Sequence, residues 1–202
     1  MPVAGRPLTI LDLSGVPSEI VDIVVSVMCR IIFDLCLWST PTHSVPVLLV
    51  CEEAHRYVPE ADNVGFGPTK RIISQIAKEG RKYGVSLCLV SQRPSELSTS
   101  ILSQCNTLFA LRMSNETDQV FIRKAVPESA LGMMSSLSSR HIQKAIAVGE
   151  GLTVPMRLKF DDLDEDHRPR SGTAAFSTVW REDSMPQTMV AEIVQCWRSQ
   201  SR

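Results

Sequence analysis

The sequence predicts an α/β protein in which a mostly parallel sheet is flanked by helices and followed by a β-hairpin and a polar tail. Two observations carry this. Apolar, β-branched runs of strand length alternate with longer segments whose apolar residues recur every three or four positions. The chemically distinctive polar clusters fall at the ends of two such runs, where open parallel sheets place their ligands.

The elements follow in order. "LTILDL" (residues 8–13) reads as a short buried strand, punctuated by Gly15 and Pro17. Ser18 stands at an N-cap position before "EIVDIVVSVMCRIIFDLCLW". In that helix Ile20, Ile23, Val24, Val27, Met28, Ile31 and Leu35 form one broad apolar face. "VPVLLVC" is a second buried strand and ends at Glu52 and Glu53. A Gly/Pro-rich loop over residues 61–68 leads to Thr69, which can cap "KRIISQIAKEGRKYG", with Ile72, Ile73, Ile76 and Ala77 on one face and Gly84 as its stop. "VSLCLVSQ" is a third buried strand and closes in "SQRP"; "TLFALRM" is a fourth, followed by the helical "ETDQVFIRKAV". "KAIAVGEGLTVPMRLKF" predicts two strands joined through Gly149-Glu150-Gly151. Beyond it the chain is polar, with one last helix expected near residues 187–197.

Composition narrows the class. The 202 residues suit one medium domain, or a domain with a tail. A net charge of -1 argues against general electrostatic coating of nucleic acid, while leaving room for a local basic patch. The cysteines at positions 29, 36, 51, 88, 105 and 196 form no CxxC pair, so the bland reading is buried thiols in a reducing cytoplasm. The N-terminus lacks the pattern of a signal peptide. Asp22, Arg30 and Asp34 interrupt the most apolar stretch, so no membrane span and a cytoplasmic location are expected.

The chemistry concentrates in "VLLVCEEAHRYVP" and "SQRP". Two adjacent carboxylates at a strand end suit phosphoryl transfer: one orients magnesium through its water shell, and the next polarises the attacking water. By position these are Glu52 and Glu53. A solvated acidic pair opening a loop is the bland rival, weakened by the apolar run before it. His55 alone carries little weight, since a structural hydrogen bond explains it equally. "SQRP" is either a polar sensor or a strand end running into a Pro-initiated turn. Arg81 and Lys82 in "EGRKYG" sit at a helix exit, where cations suit the dipole.

Taken in order, "ILDLSGVPSEIVDIVV", "VLLVCEEAHRYVP", "IAKEGRKYGVSLCLVSQRPSELSTSILSQCNTLFALRM", "NETDQ" and "VGEGLTVPMRLKF" resemble the C-terminal half of the motor domain in HerA-type ATPases, members of the HerA/FtsK superfamily of hexameric DNA translocases. The resemblance implies a partial RecA-like P-loop NTPase core over residues 1–160 and a polar tail over residues 161–202. It also implies ATP and Mg2+ as cofactors and a hexameric ring on double-stranded DNA. The implied partner is a nuclease such as NurA or a bacterial antiphage effector. Residue by residue, Glu53 takes the catalytic glutamate role, Glu52 the metal-side role, and Arg81 that of an arginine finger acting on the neighbouring subunit. Gln92 is the polar sensor, with Arg93 beside it on the nucleotide side.

Two departures stand out. Glu52 occupies a position where such segments often carry Asp. More importantly, GxxxxGK[ST] is absent; "GFGPTK" has the wrong spacing and follows the acidic strand instead of preceding it. The expectation is therefore a chain that lacks the ATP cradle, hydrolyses almost no ATP alone and is prone to aggregate. The alternative is a non-catalytic half-domain that docks on a P-loop partner and supplies residues in trans. A DEAH-type helicase is disfavoured because SAT and QxxGRxGR segments are absent, and a metal hydrolase because HExxH is absent. Arg56, Lys70, Arg71, Arg123 and Lys124 are DNA-contact candidates by charge only.

Overall fold

The computed structural model describes residues 6–39, 46–61, 65–134 and 144–168, together with Val194, Gln195 and Arg198. The helix expected near residues 187–197 falls almost wholly outside them, although Val194, Gln195 and Arg198 are helical. The chain divides into two compact units, Met1–Asp161 and Asp162–Arg202. In the second, one short 3-10 turn, Glu165–His167, is described.

In the first unit the α/β class holds. Helix α1 (Ser18–Leu37) precedes strand β1 (Val47–Cys51), helix α2 (Gly67–Glu79) and strand β2 (Val85–Leu89). The two strands pair in parallel, with Val47 opposite Val85 and Cys51 opposite Leu89. Helix α3 (Thr99–Leu102), strand β3 (Thr107–Ala110), helices α4 (Glu116–Ala125) and α5 (Glu128–Met134), and strands β4 (Lys144–Gly149) and β5 (Met156–Lys159) follow.

The sheet departs from the expectation of one mostly parallel array. "TLFALRM" does not join β1 and β2; as β3 it pairs antiparallel with β4, which pairs antiparallel with β5. The apolar run fixes a strand but not its neighbour, and the nearby hairpin supplies a partner. Residues 8–13 lie outside any strand, and Leu8 and Ile10 are exposed. The β4–β5 hairpin stands where it was expected. Gly149, at φ +123°, makes its turn possible, because a Cβ there would run into the Asn106 carbonyl oxygen.

Two cores hold the unit together. The first is built from Cys29, Phe33 and Cys36 of α1, Ile72, Ile73 and Ile76 of α2, Val85 of β2, Ile101 of α3, and Val58 and Leu97 from the loops. Phe33 meets Tyr83 edge to face, at 5.6 Å between centroids. The second joins Ala110, Ile122, Val126, Ala130, Ile146 and Val148.

The expected face of α2 is buried, and Gly84 terminates that segment in the left-handed conformation. The capping residues differ from expectation. Pro17, not Ser18, flanks α1. Thr69 is a buried residue of α2's first turn, where Phe66 is the flanking residue, and its hydroxyl donates to the Asp22 carbonyl at 2.8 Å, tying α2 to α1. The largest difference is in α1 itself. Ile20, Ile23, Val27, Met28, Ile31 and Leu35 are exposed, while Val21, Cys29, Phe33 and Cys36 are buried. The helix is apolar on two sides, and the smaller, aromatic-bearing side is the one against this chain's core.

Candidate functional site

The site forms where β1 and β2 end side by side. Because the strands are parallel and in register, their carboxyl ends bring residues 52–55 next to residues 90–93. The backbone welds the two exits together: Val90 N–H donates to Cys51 O, and Ala54 N–H donates to Val90 O, each at 2.9 Å. Farther out, Glu60 N–H donates to Glu96 O at 2.8 Å, and Ser98 N–H donates to Val58 O at 2.9 Å. The Glu60 carboxylate accepts from the Thr99 amide at 2.7 Å and its hydroxyl at 3.0 Å. Loops that would otherwise be mobile are thereby fixed to each other.

Glu53 is the conformational outlier. Among the described residues it is the non-glycine with positive φ, at φ 50° and ψ 44°. A left-handed glutamate costs about 1–3 kcal/mol and persists only where its surroundings demand it. Here the Ala54–Val90 bond and the following 3-10 turn, Ala54–Arg56, demand it. The side chain then points to the end of β2, where Gln92 Nε2 donates to Glu53 Oε1 at 3.2 Å. His55 Nδ1 lies 3.4 Å from Glu53 Oε2 and 3.3 Å from Ser91 Oγ. Ser91 Oγ accepts from the Arg93 amide at 3.0 Å.

The structure thus brings Glu53 and Gln92 together and adds His55 and Ser91. Glu52 is exposed on the turn just after β1. Arg93 is exposed at the same end, its guanidinium paired with Glu96 at 2.9 Å; such a surface pair contributes little and is easily exchanged. Arg81 is not part of the cluster. It lies exposed on the turn Gly80–Tyr83, before the first residue of β2, at the opposite end of the strand. Five strand residues place it about 15 Å along the sheet from the exits. Of the basic candidates, Arg56, Arg71, Arg123 and Lys124 are exposed, and Lys70 Nζ approaches the Glu60 carbonyl at 3.4 Å.

Sequence reasoning gave too little weight to His55 and missed Asp118. Asp118 sits on α4, is buried, and accepts from the Ser95 amide at 3.0 Å and its hydroxyl at 2.6 Å. It pins the turn Pro94–Glu96, which begins two residues after Gln92. An acidic residue in a first helical turn is so common that nothing in the sequence singles it out. Burial pushes the Cys29 thiol up to about 12 and the Cys51 thiol up to about 11, so both stay protonated at neutral pH.

An exposed glutamate at a strand end suits Mg2+, which keeps most of its water shell and takes one or two carboxylates beside a phosphate. No cluster of three or more His, Cys, Asp or Glu forms a protein cage among the described residues. No helix among them is long and apolar enough to cross a membrane.

No family model matches the chain. Solved structures do. The genome packaging NTPase B204 of Sulfolobus turreted icosahedral virus 2, in complex with AMPPCP, aligns at a TM-score of 0.51 and 11% identity, over 69% of this chain and 63% of that one. Another B204 structure, described as the DNA-packaging ATPase of Sulfolobus turreted icosahedral virus, gives 0.51 at 13% identity, over 66% and 60%. The fold is therefore that of part of a P-loop packaging NTPase, a partial RecA-like core. Curated relatives narrow this. A probable helicase of Methanocaldococcus jannaschii, MJ1565, is 33% identical over 161 residues, 78% of this chain. The DNA double-strand break repair helicase HerA of Pyrococcus furiosus is 35% identical over 136 residues, 67% of this chain. A probable HerA of Methanocaldococcus jannaschii is 39% identical over 119 residues. Over most of its length the chain is therefore similar to relatives named HerA or helicase. It spans 31%, 24% and 23% of the lengths of these three relatives.

Proposed function

We propose that this chain is the hydrolytic part of an ATP-driven translocase that moves on double-stranded DNA. The meeting of Glu53 and Gln92 at the carboxyl ends of adjacent parallel strands supports this most strongly. A carboxylate held there in a left-handed conformation, facing an amide, is arranged to receive a proton and to orient the water that loses it. Glu53 is the base that draws the proton from water attacking the terminal phosphate of ATP. Gln92 holds the Glu53 carboxylate before substrate arrives and then shares its amide with that water. Glu52 is the residue that would hold Mg2+, and the chemistry the ion would supply is neutralisation of charge on the phosphates. Arg93 exchanges Glu96 for phosphate.

Arg81 faces away from this site and serves the neighbouring subunit's nucleotide in a hexameric ring. The relatives are named as helicases, two of them as double-strand break repair HerA or its probable counterpart, and B204 is named as packaging DNA. Those names support DNA as the track; the nuclease or antiphage effector proposed as the partner rests on the sequence resemblance alone.

The sequence carries no GxxxxGK[ST], so the amide cradle for the phosphates comes from another polypeptide segment. A second reading, a half-domain that docks on a P-loop partner without hydrolysing ATP through its own glutamate, gains support from the uncovered side of the β1–β2 sheet. There Leu48 and Val50 are 61% and 55% exposed. Parallel sheets are ordinarily covered on both faces. Co-expression with a P-loop-bearing segment of a HerA relative separates the readings. Under the proposal the mixture hydrolyses ATP, DNA stimulates it, and the chain alone is silent. Robust Mg2+-dependent turnover by the chain alone contradicts the proposal, and turnover that survives loss of Glu53 favours the second reading.

A further inference from the structure

We propose that His55 is a positioning residue that holds Glu53 in its working orientation through an Nδ1–H bond to Oε2, with Ser91 as the second acceptor. This rests on the reading of Glu53 as a base. Glu53 cannot be aimed by its own backbone alone, because its side chain has three rotatable bonds and is 46% exposed. Gln92 engages one oxygen, Oε1. The other oxygen faces the imidazole of His55, whose side chain is only 19% exposed. The 3-10 turn that follows the left-handed residue carries the ring to this place, two positions on, and Ala54, fully buried between them, anchors the turn.

The proton's location follows from the neighbours. Nδ1 sees a carboxylate oxygen at 3.4 Å and a hydroxyl oxygen at 3.3 Å. Ser91 Oγ is oriented by accepting the Arg93 amide and keeps a second lone pair for another donor. A bare Nδ1 would point its lone pair at an acceptor-only carboxylate. A protonated Nδ1 satisfies both oxygens with one forked bond. Each member of the pair Gln92 and His55 thus fixes one carboxylate oxygen. When Gln92 turns to the substrate water, His55 keeps Glu53 from swinging into solvent. The chain Arg93 amide, Ser91, His55, Glu53 also ties the base to the β2 exit independently of Gln92.

Two measurements test this. Magic-angle-spinning NMR on 15N-histidine-labelled chain needs no soluble monomer, and four histidines keep the spectrum simple. The expected result is a protonated Nδ1 at His55 in the wild type and in Ser91→Ala, and a switch to the Nε2–H tautomer in Glu53→Ala. A bare Nδ1 in the wild type, or a switch caused by Ser91→Ala and not by Glu53→Ala, overturns the proposal. In the assembly complemented with a P-loop segment, His55→Phe is expected to lower kcat by about 10-fold or more with KM for ATP unchanged, since misplacing a reacting group acts on the chemical step. His55→Asn, which keeps an N–H near the Nδ1 position, is expected to recover most of it. Equal turnover in wild type and His55→Phe, or loss of KM and kcat together in both variants, overturns the role. A wild-type assembly that hydrolyses nothing removes the base reading and the purpose of His55 with it, while the nitrogen signals still report the pairing.

Discussion

At the scale of single residues, Glu53 combines an unusual backbone with two side-chain partners, and the sequence announces only its identity. The EE dipeptide after an apolar run was enough to place two carboxylates at a strand end. The left-handed conformation was not legible, because it arises from a bond between Ala54 and Val90, residues far apart in sequence. Gln92 was legible as a polar residue at the next strand end, but its reach to Glu53 depends on the register of β1 and β2. The buried Cys29 and half-buried Cys51 thiols yield a pH prediction. Their folded-state values, about 12 for Cys29 and about 11 for Cys51, lie above the ordinary 9.0. As pH rises above about 9, the unfolded chain gives up protons that the folded chain keeps, so stability is full below that pH and falls through about 12. Chemical denaturation at stepped alkaline pH checks this; in the double variant Cys29→Ala/Cys51→Ala the fall is expected to be shallower.

At the scale of elements, the sequence located helices and strands well and their partners poorly. Only Thr107–Ala110 of the run 107–113 forms β3, and alternation cannot say whether a strand joins the parallel pair or the hairpin. Residues 8–13 have strand composition without a ladder partner, and a strand needs one for its backbone groups. Helix α1 carries apolar residues on two sides, so periodicity alone could not tell which meets the core. Asp118 is where an element controls the site. Replacing it with Ala leaves the Ser95 amide and hydroxyl without their acceptor, with an expected cost of about 1–3 kcal/mol. Thermal melting reads that cost, and faster amide exchange confined to residues 92–96 reads the loosened turn. Gly149→Ala is expected to cost at least about 2 kcal/mol, because φ +123° and the Asn106 carbonyl both oppose a Cβ; a melt within 1 °C of wild type would refute that assignment.

At the scale of the molecule, the chain shows two kinds of surface. One is an assembled strand-end cluster; others, the outer face of α1 and the face of β1 carrying Leu48 and Val50, are apolar and exposed among the described residues. Exposed contiguous apolar surface drives association. Substituting Ile23 and Ile31 with Lys is therefore expected to raise solubility severalfold while leaving the melting temperature unchanged, whereas Phe33→Ala, on the opposite side of α1, is expected to cost about 3–5 kcal/mol. Sedimentation and melting of the variants separate the two faces. Under the proposed function, Glu53 is the base of an ATP-hydrolysing site whose phosphate cradle comes from another segment. Single-turnover ATP hydrolysis by the P-loop-complemented assembly, comparing wild type with Glu53→Gln, tests it most directly. Retained ATP binding with hydrolysis lowered by about 100-fold or more is expected; hydrolysis within a factor of about two of wild type would contradict the role of Glu53.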